Sequence, residues 1–355
     1  MRLERLMDFM KKRQLEAVII ADGCNMEYFS GFSGATGYLY ISEKVKKILT
    51  DSRYTTQAKM ESKDFDIYEV NSGRNYVDAI HKMMQEDNIK SIGFEDTYLK
   101  YSEVVKFMQS GENQKWVPLA DELSNLRSIK DEQEIQKLKM AESIGDKSFT
   151  RILDILRPGM TEIEVAAELE YGMKMNGAQG FSFDSIVASG PNSALPHATP
   201  SARKLETGDF VTMDFGCIYQ GYCSDMTRTV VIGKASDKQR EIYQIVLDAQ
   251  LSALEFIKAG RTGKEVDQVA RDIIEKAGYG AYFGHGLGHS VGLEIHEEPR
   301  LSPTCSVELK VNVIETVEPG IYIPEFGGVR IEDMVLVTEE GCINFTNSPK
   351  ELLEI

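Results

Sequence analysis

Gly159-Met160-Thr161-Glu162-Ile163-Glu164-Val165 is answered 101 residues later by Gly260-Arg261-Thr262-Gly263-Lys264-Glu265-Val266. Each copy places a glycine to end one helix and a Thr-x-x-Glu to open the next, where hydroxyl and carboxylate satisfy the free N–H groups of a helix start. Each follows a helical pattern, RILDIL (151–156) in one and SALEFI (252–257) in the other. Pro196-His197-Ala198-Thr199-Pro200 then precedes His296-Glu297-Glu298-Pro299 by 99 residues, aligning two histidines. Each half goes on to a strand hairpin carrying two acids. Four matches in one order predict a duplicated helix–helix–hairpin unit.

In the first hairpin, Asp214 and Asp225 face one another if the turn centres between Tyr219 and Gln220, and become diagonal neighbours if it centres on Gln220-Gly221. Either register brings the carboxylates within about 5–8 Å. Solvent-facing acids at a hairpin end would be the plain explanation. Asp214, however, lies among Val211, Met213 and Phe215, where an unpaired carboxylate is expensive. A cation between the two acids resolves the conflict. The second hairpin repeats the pattern, with Glu318 and Glu332 straddling residue 325. Glu315 and Asp333 fall on the opposite side-chain parity and are expected to point away.

The chain has five histidines, and His197, His285, His289 and His296 all lie in the duplicated half. His285-Gly286-Leu287-Gly288-His289 is too glycine-rich for a dependable helix, so it is expected to be strand or tight loop. Four histidines near four facing acids favour a metal site. His81 is expected on a helix surface, and the stretch 132–142 as a solvated helix face.

Of 355 residues, 40 are basic and 56 acidic, a formal net charge of −16. That balance speaks against a coat for nucleic acid or anionic membrane. No apolar run approaches the roughly 18 residues of a membrane span. Five scattered cysteines without a CxxC read as reduced thiols, and a cytoplasmic protein is expected. Residues 1–125 alternate strand patterns (17–21, 36–41, 46–51, 91–95) with helical ones (75–84, 101–110), which predicts a smaller α/β domain. They hold 17 basic and 20 acidic residues against 23 and 36 in the remainder, a shift that supports a boundary near 125. A helix from about 131 to 156 opens the second domain, so the division expected is 1–125 and 126–355.

SGPNSALPHATPS (189–201), MDFG (213–216) with SDMTRT (224–229), GHGLGHSVGLEIHEEP (284–299), TVEPGIYIP (316–324) and GGVRIED (327–333) together resemble the pita-bread metallopeptidases. NMEYFSGFSG (25–34) and TDSRYTTQA (50–58) are similar to the extra N-terminal domain of the aminopeptidase P and prolidase branch. The resemblance spans essentially the whole chain. It implies an α+β pita-bread catalytic domain with a pseudo-twofold repeat, and five metal ligands: Asp214, Asp225, His289, Glu318 and Glu332. It further implies that Asp225 and Glu332 bridge two ions, that His197 and His296 contact substrate, and that His285 and Arg330 support the site. Glu315 stands where an apolar residue is expected, and Met334 where a further acid is common.

Four carboxylates and one imidazole favour manganese, with cobalt, iron(II) or zinc as alternatives. Two ions about 3.5 Å apart suit hydrolysis of a peptide carbonyl, with Glu318 as proton shuttle. The leading expectation is an Xaa-Pro aminopeptidase acting on proline-containing peptides; the alternative is a prolidase restricted to Xaa-Pro dipeptides. A non-catalytic scaffold or a creatinase-like enzyme would lack ligands, and none is missing. Methionine aminopeptidases usually lack so large an N-terminal domain. The resemblance also implies a homodimer, with the partner's N-terminal domain helping to close the substrate site.

Overall fold

The computed structural model describes residues 2–109 and 114–355 and divides into two units, Met1–Arg127 and Ser128–Ile355. The first unit opens with the amphipathic Arg2–Arg13 helix running into the Ala17–Ile20 strand. Its six-stranded sheet has the spatial order Asp66–Val70, Lys46–Asp51, Tyr38–Ser42, Ala17–Ile20, Ser91–Phe94, Lys115–Pro118. The two pairs made by Tyr38–Ser42 are antiparallel and the other three are parallel, so the sheet is mixed. The helix expected over 75–84 runs Tyr76–Glu86, capped by the Asn75 side chain. The helix expected over 101–110 runs Tyr101–Gln109; Ser110 lies outside the described residues. His81 is a correction. It is buried on the packed face of its helix, its ring edge-on to Trp116, and burial lowers its pKa.

The second unit is built from two helix pairs, Glu132–Leu153 with Glu162–Met175 and Asp237–Phe256 with Gly263–Lys276. Thr161 with Glu164 and Thr262 with Glu265 form complete capping boxes. Gly159 and Gly260 do not end the preceding helices as expected, since those stop at Leu153 and Phe256; with φ of +88° and +83° they instead make the left-handed turn that leads into the next helix. In each half the helix start is tied to a later segment by one bridge, Thr161 to Lys204 and Thr262 to Glu308.

Strand parity then sorts the side chains. Val211, Met213 and Phe215 enter the core under the first helix pair with Ile144, Leu169 and Val187. Val317, Val335 and Val337 enter the core under the second, with Ile242, Val266 and Ile274. Each such side chain contributes about 1.5–3 kcal/mol on burial. That leaves Asp214, Thr227, Thr316 and Glu318 for the other face. The stretch 132–142 is a second correction: Glu134, Ile135, Leu138, Ala141 and Glu142 are all buried. Glu134 closes a capping box with Asp131 and accepts from the Tyr222 hydroxyl, and Glu142 is spent behind the acidic hairpin. Among the described residues no helix is long and apolar enough to cross a membrane.

Candidate metal centre

The first hairpin turns at Gln220-Gly221, whose φ values of +47° and +84° match the two left-handed positions of a tight type I′ turn. Tyr219 therefore pairs with Tyr222, and Asp214 with Thr227, so Asp225 sits diagonally from Asp214. The shifted register is the one realised. Gly216 makes it possible, because a Cβ there would lie 1.8 Å from the Ser224 carbonyl oxygen. In the second hairpin Gly320 pairs with Arg330 and Ile323 with Gly327. Continued outward, that register sets Glu318 against Glu332.

The two hairpins interlock. The Glu332 N–H donates to the Thr227 carbonyl (3.1 Å), and the Thr227 hydroxyl donates to Glu332 Oε2 (2.6 Å). Thr229 Oγ1 donates to the Arg330 carbonyl (2.9 Å). His289 comes from the short Gly288–Ser290 strand, whose glycine packs against the Thr316 backbone. Its N–H donates to Thr316 Oγ1 (3.1 Å), and the same hydroxyl donates to Glu318 Oε1 (3.2 Å).

Asp225, His289 and Glu332 each bring a ligand atom within 4.8 Å of the other two. His289 Nε2 is 3.5 Å from Asp225 Oδ2 and 3.4 Å from Glu318 Oε1. Its Nδ1 is 3.2 Å from the Ser290 carbonyl, which only accepts, so Nδ1 carries the hydrogen. Burial first, and the neighbouring His296 second, push the His289 pKa down to about 3, so the ring is neutral. A bare Nε2 lone pair thus faces two carboxylates. Acceptors crowding acceptors in a buried pocket are what a cation requires.

Asp214 Oδ2 accepts from Arg330 Nη2 (2.5 Å), while its buried Oδ1 has no hydrogen-bond partner. Burial, then the Glu332 charge, raise the Asp225 pKa well above its ordinary value; burial, then Glu318, do the same for Glu332. Glu318 is pushed up to about 8 by burial against the pull of Arg330. One guanidinium cannot neutralise four acids. The buried Asp225, His289 and Glu332 could hold a divalent cation between them, and Asp214 and Glu318 line the same cavity beside them.

Asp214, Asp225, His197, His285, His289, His296, Glu318, Arg330 and Glu332 all line one cavity of about 490 Å³. His285 Nε2 lies 2.9 Å from the Tyr322 hydroxyl, which accepts from Arg330 Nη1 (2.7 Å). Burial lowers His285 to about 4 and raises Tyr322 to about 12. The chain His285–Tyr322–Arg330–Asp214 thereby aims a neutral histidine and a fixed cation at the acids. Glu315 and Asp333 stay off this face. Asp333 is held by Arg228, Gln250, Lys350 and Asn344, and both Glu315 oxygens are buried without partners.

Thr227 and Thr316 were missed from the sequence, although each stands two residues from an acid on its own strand and so shares that acid's face. Asp267 and Arg271 were missed for lack of any local signal. Asp267 accepts the Leu287 N–H (2.9 Å) and Arg271 donates to the His285 carbonyl (2.8 Å), so one helical ion pair shapes the glycine-rich segment. Arg300 also lines the cavity.

The profile of the Metallopeptidase family M24 matches residues 136–339, and that of the Creatinase/Prolidase N-terminal domain matches residues 2–129. The chain is 44% identical over 353 residues to an Xaa-Pro dipeptidase of Pyrococcus furiosus, covering 99% of each. Among solved structures, the Xaa-Pro dipeptidase from Bacillus anthracis superposes with a TM-score of 0.96 at 44% identity, over 100% of this chain and 99% of that one. The X-Pro aminopeptidase from Thermotoga maritima superposes at 0.93 and 42% identity, over 100% of both.

Proposed function

Because this chain belongs to metallopeptidase family M24 and is therefore a metal-dependent peptidase, we propose that it is a prolidase, cleaving Xaa-Pro dipeptides between the first residue and proline. The leading expectation from sequence was the aminopeptidase. The names of the relatives support the dipeptidase alternative instead, with Xaa-Pro dipeptidases at 44% identity over nearly full length. The Thermotoga maritima structure keeps the aminopeptidase as the second reading.

The observation that carries the hydrolase reading is the neutral His289 facing carboxylates in a buried cavity. Two divalent ions, which we take to be manganese on the hardness of the donors, would be held by Asp214, Asp225, His289, Glu318 and Glu332. When bound they supply a water ionised near neutral pH and a polarised scissile carbonyl. Glu318, oriented by Thr316, takes the proton and delivers it to the leaving proline nitrogen. His197 and His296 donate hydrogen bonds to charge developing on the carbonyl oxygen. His285 and Tyr322 hold Arg330, and Arg330 holds Asp214.

A dipeptide places a free carboxylate directly after the proline ring, so a dipeptidase needs a cation within reach. Arg330 is committed to Asp214. Arg300, which lines the cavity and whose Nε donates to Glu298 Oε1 at 3.3 Å, is the cation we assign to that carboxylate. The test is turnover of Ala-Pro, Ala-Pro-Ala and Ala-Pro-Ala-Ala by the manganese-loaded enzyme and by Arg300→Ala. We expect cleavage of the dipeptide only, with a KM at least about tenfold higher in the variant, a charged hydrogen bond being lost. Efficient release of alanine from the longer peptides establishes the aminopeptidase instead. We assign the chemistry to residues 126–355 and propose a cytoplasmic homodimer; light scattering at micromolar concentration should give twice 39.8 kDa, and a monomer mass contradicts the dimer.

A further inference from the structure

His197 is exposed, and among the described residues no hydrogen bond reaches its ring. Its position therefore depends on the backbone that carries it. That backbone is the 189–201 segment, which also supplies Pro196, Ala198, Thr199 and Pro200 to the cavity wall. The segment contains only a short 3-10 turn, Gly190–Ala194, and has few ladder bonds of its own beyond Ser189.

One side chain reaches both of its ends. Glu162, the first residue of the Glu162–Met175 helix, is fully buried. Its Oε1 accepts from the Ser189 N–H (2.7 Å), the Ser189 hydroxyl (2.7 Å) and Asn192 Nδ2 (3.0 Å). Its Oε2 accepts from the Ser201 N–H (3.0 Å), the Ser201 hydroxyl (2.6 Å) and again Asn192 Nδ2 (3.2 Å). Burial pushes this carboxyl up, and the bonds from Ser201 and Ser189 outweigh it, holding the pKa below its ordinary value. The helix dipole favours the same charge.

The repeat shows what the side chain replaces. Glu162 and Ile163 donate their N–H groups to the carbonyls of Arg203 and Ser201; Gly263 and Lys264 donate theirs to Val307 and Cys305. In the second half the strand behind His296 lies directly on the helix start, so close that a Cβ on Gly263 would be 2.0 Å from the Arg300 carbonyl oxygen. In the first half the helix start instead carries a carboxylate, and Glu162 reaches from it to Ser189, Asn192 and Ser201. The two histidines are carried by equivalent elements held in different ways.

We propose that Glu162 is a positioning residue of the peptide site: one buried carboxylate clamps both ends of the 189–201 segment and so fixes His197 and the wall beside it. This rests on the cavity being the peptide site. The clamp itself is tested without substrate, by hydrogen-exchange mass spectrometry and manganese titration calorimetry on the wild type, Glu162→Gln and Ser201→Ala. An amide has one acceptor oxygen and adds a donor group, so Glu162→Gln cannot serve donors on both sides.

We expect amides of 189–203 to exchange about tenfold faster or more in Glu162→Gln, and to a lesser degree in Ser201→Ala. Exchange over 210–229 and manganese affinity should stay within about threefold of the wild type. On whichever Xaa-Pro substrate the wild type cleaves, kcat should fall and KM rise together, because the segment carries both His197 and binding surface. Unchanged exchange over 189–203 overturns the proposal, as does an equal rise over the whole second unit, which would make Glu162 a general stabiliser. If Glu162→Gln does not fold, Ser201→Ala alone decides by the same local criterion. Loss of Xaa-Pro cleavage by the wild type would strike the functional reading and leave the exchange result standing.

Discussion

At the scale of single residues, the threonines decide how well the acids are aimed. Thr227 gives its hydroxyl hydrogen to Glu332 Oε2 and accepts from Arg330 Nε at 3.1 Å, so one oxygen orients both a ligand and the cation beside it. Thr227→Val keeps the shape and removes both bonds. Partners of this kind are typically worth about 10–100-fold in metal affinity. Calorimetric titration with manganese should show a loss in that range, with the metal-free melting temperature moved by only a few degrees; unchanged affinity would show that Glu332 is held by packing. Residues were also where the sequence was hardest to read. Whether Glu142 is solvated or buried depends on the Thr346 hydroxyl meeting it from 204 positions away, and on the Asp225 N–H at 3.3 Å. His81 hides behind Trp116, 35 positions on. Neither neighbour is marked by any local pattern.

At the scale of elements, alternation and turn geometry carried most of the information. The register about residue 325 follows from arithmetic on two acids, and the choice of Asp214 neighbour reduces to whether Gly221 takes a left-handed φ. The capping boxes at Thr161 and Thr262 were legible because four residues suffice to write one. The clamp on 189–201 was not, because Ser189, Asn192 and Ser201 converge on Glu162 from a segment without regular spacing. The strand Gly288–Ser290 offers an element-level test. A Cβ at Gly288 would sit 2.0 Å from the Thr316 carbonyl oxygen, which is backbone and cannot step aside. Gly288→Ala should therefore part His289 from Thr316 and Glu318. Overpacking of this sort costs about 1–3 kcal/mol, but manganese binding should fall by far more than that loss of stability explains. Equal affinity in Gly288→Ala and wild type would mean the strand is not what places the imidazole.

At the scale of the whole molecule, the acids set stability against function. In the metal-free chain Glu318 has a folded pKa near 8 against an unfolded value of 4.5, and Asp225 and Glu332 are shifted in the same direction. Between those values the folded state binds more protons than the unfolded one, so stability must fall as pH rises from about 4.5 to 8. Divalent ions favour the ionised carboxylates and reverse the sign. Melting curves from pH 5.5 to 8 should thus drop by several degrees without metal and hold or rise with manganese; parallel curves would indicate that the acids do not share one pocket with the ions. Chain duplication explains why this arrangement exists at all. Each half contributes a hairpin with two acids, and only their interlocking through Thr227, Thr229, Arg330 and Glu332 brings four carboxylates to one imidazole. The most direct measurement is the metal content of the manganese-reconstituted protein after dialysis, beside its Asp225→Asn and Glu332→Gln variants, with Ala-Pro turnover followed before and after chelation. The account requires two ions per wild-type chain, at most one in either variant, and activity that disappears with the metal and returns on its restoration. A wild-type chain that retains no ions, or that cleaves Ala-Pro undiminished in chelator, would contradict it.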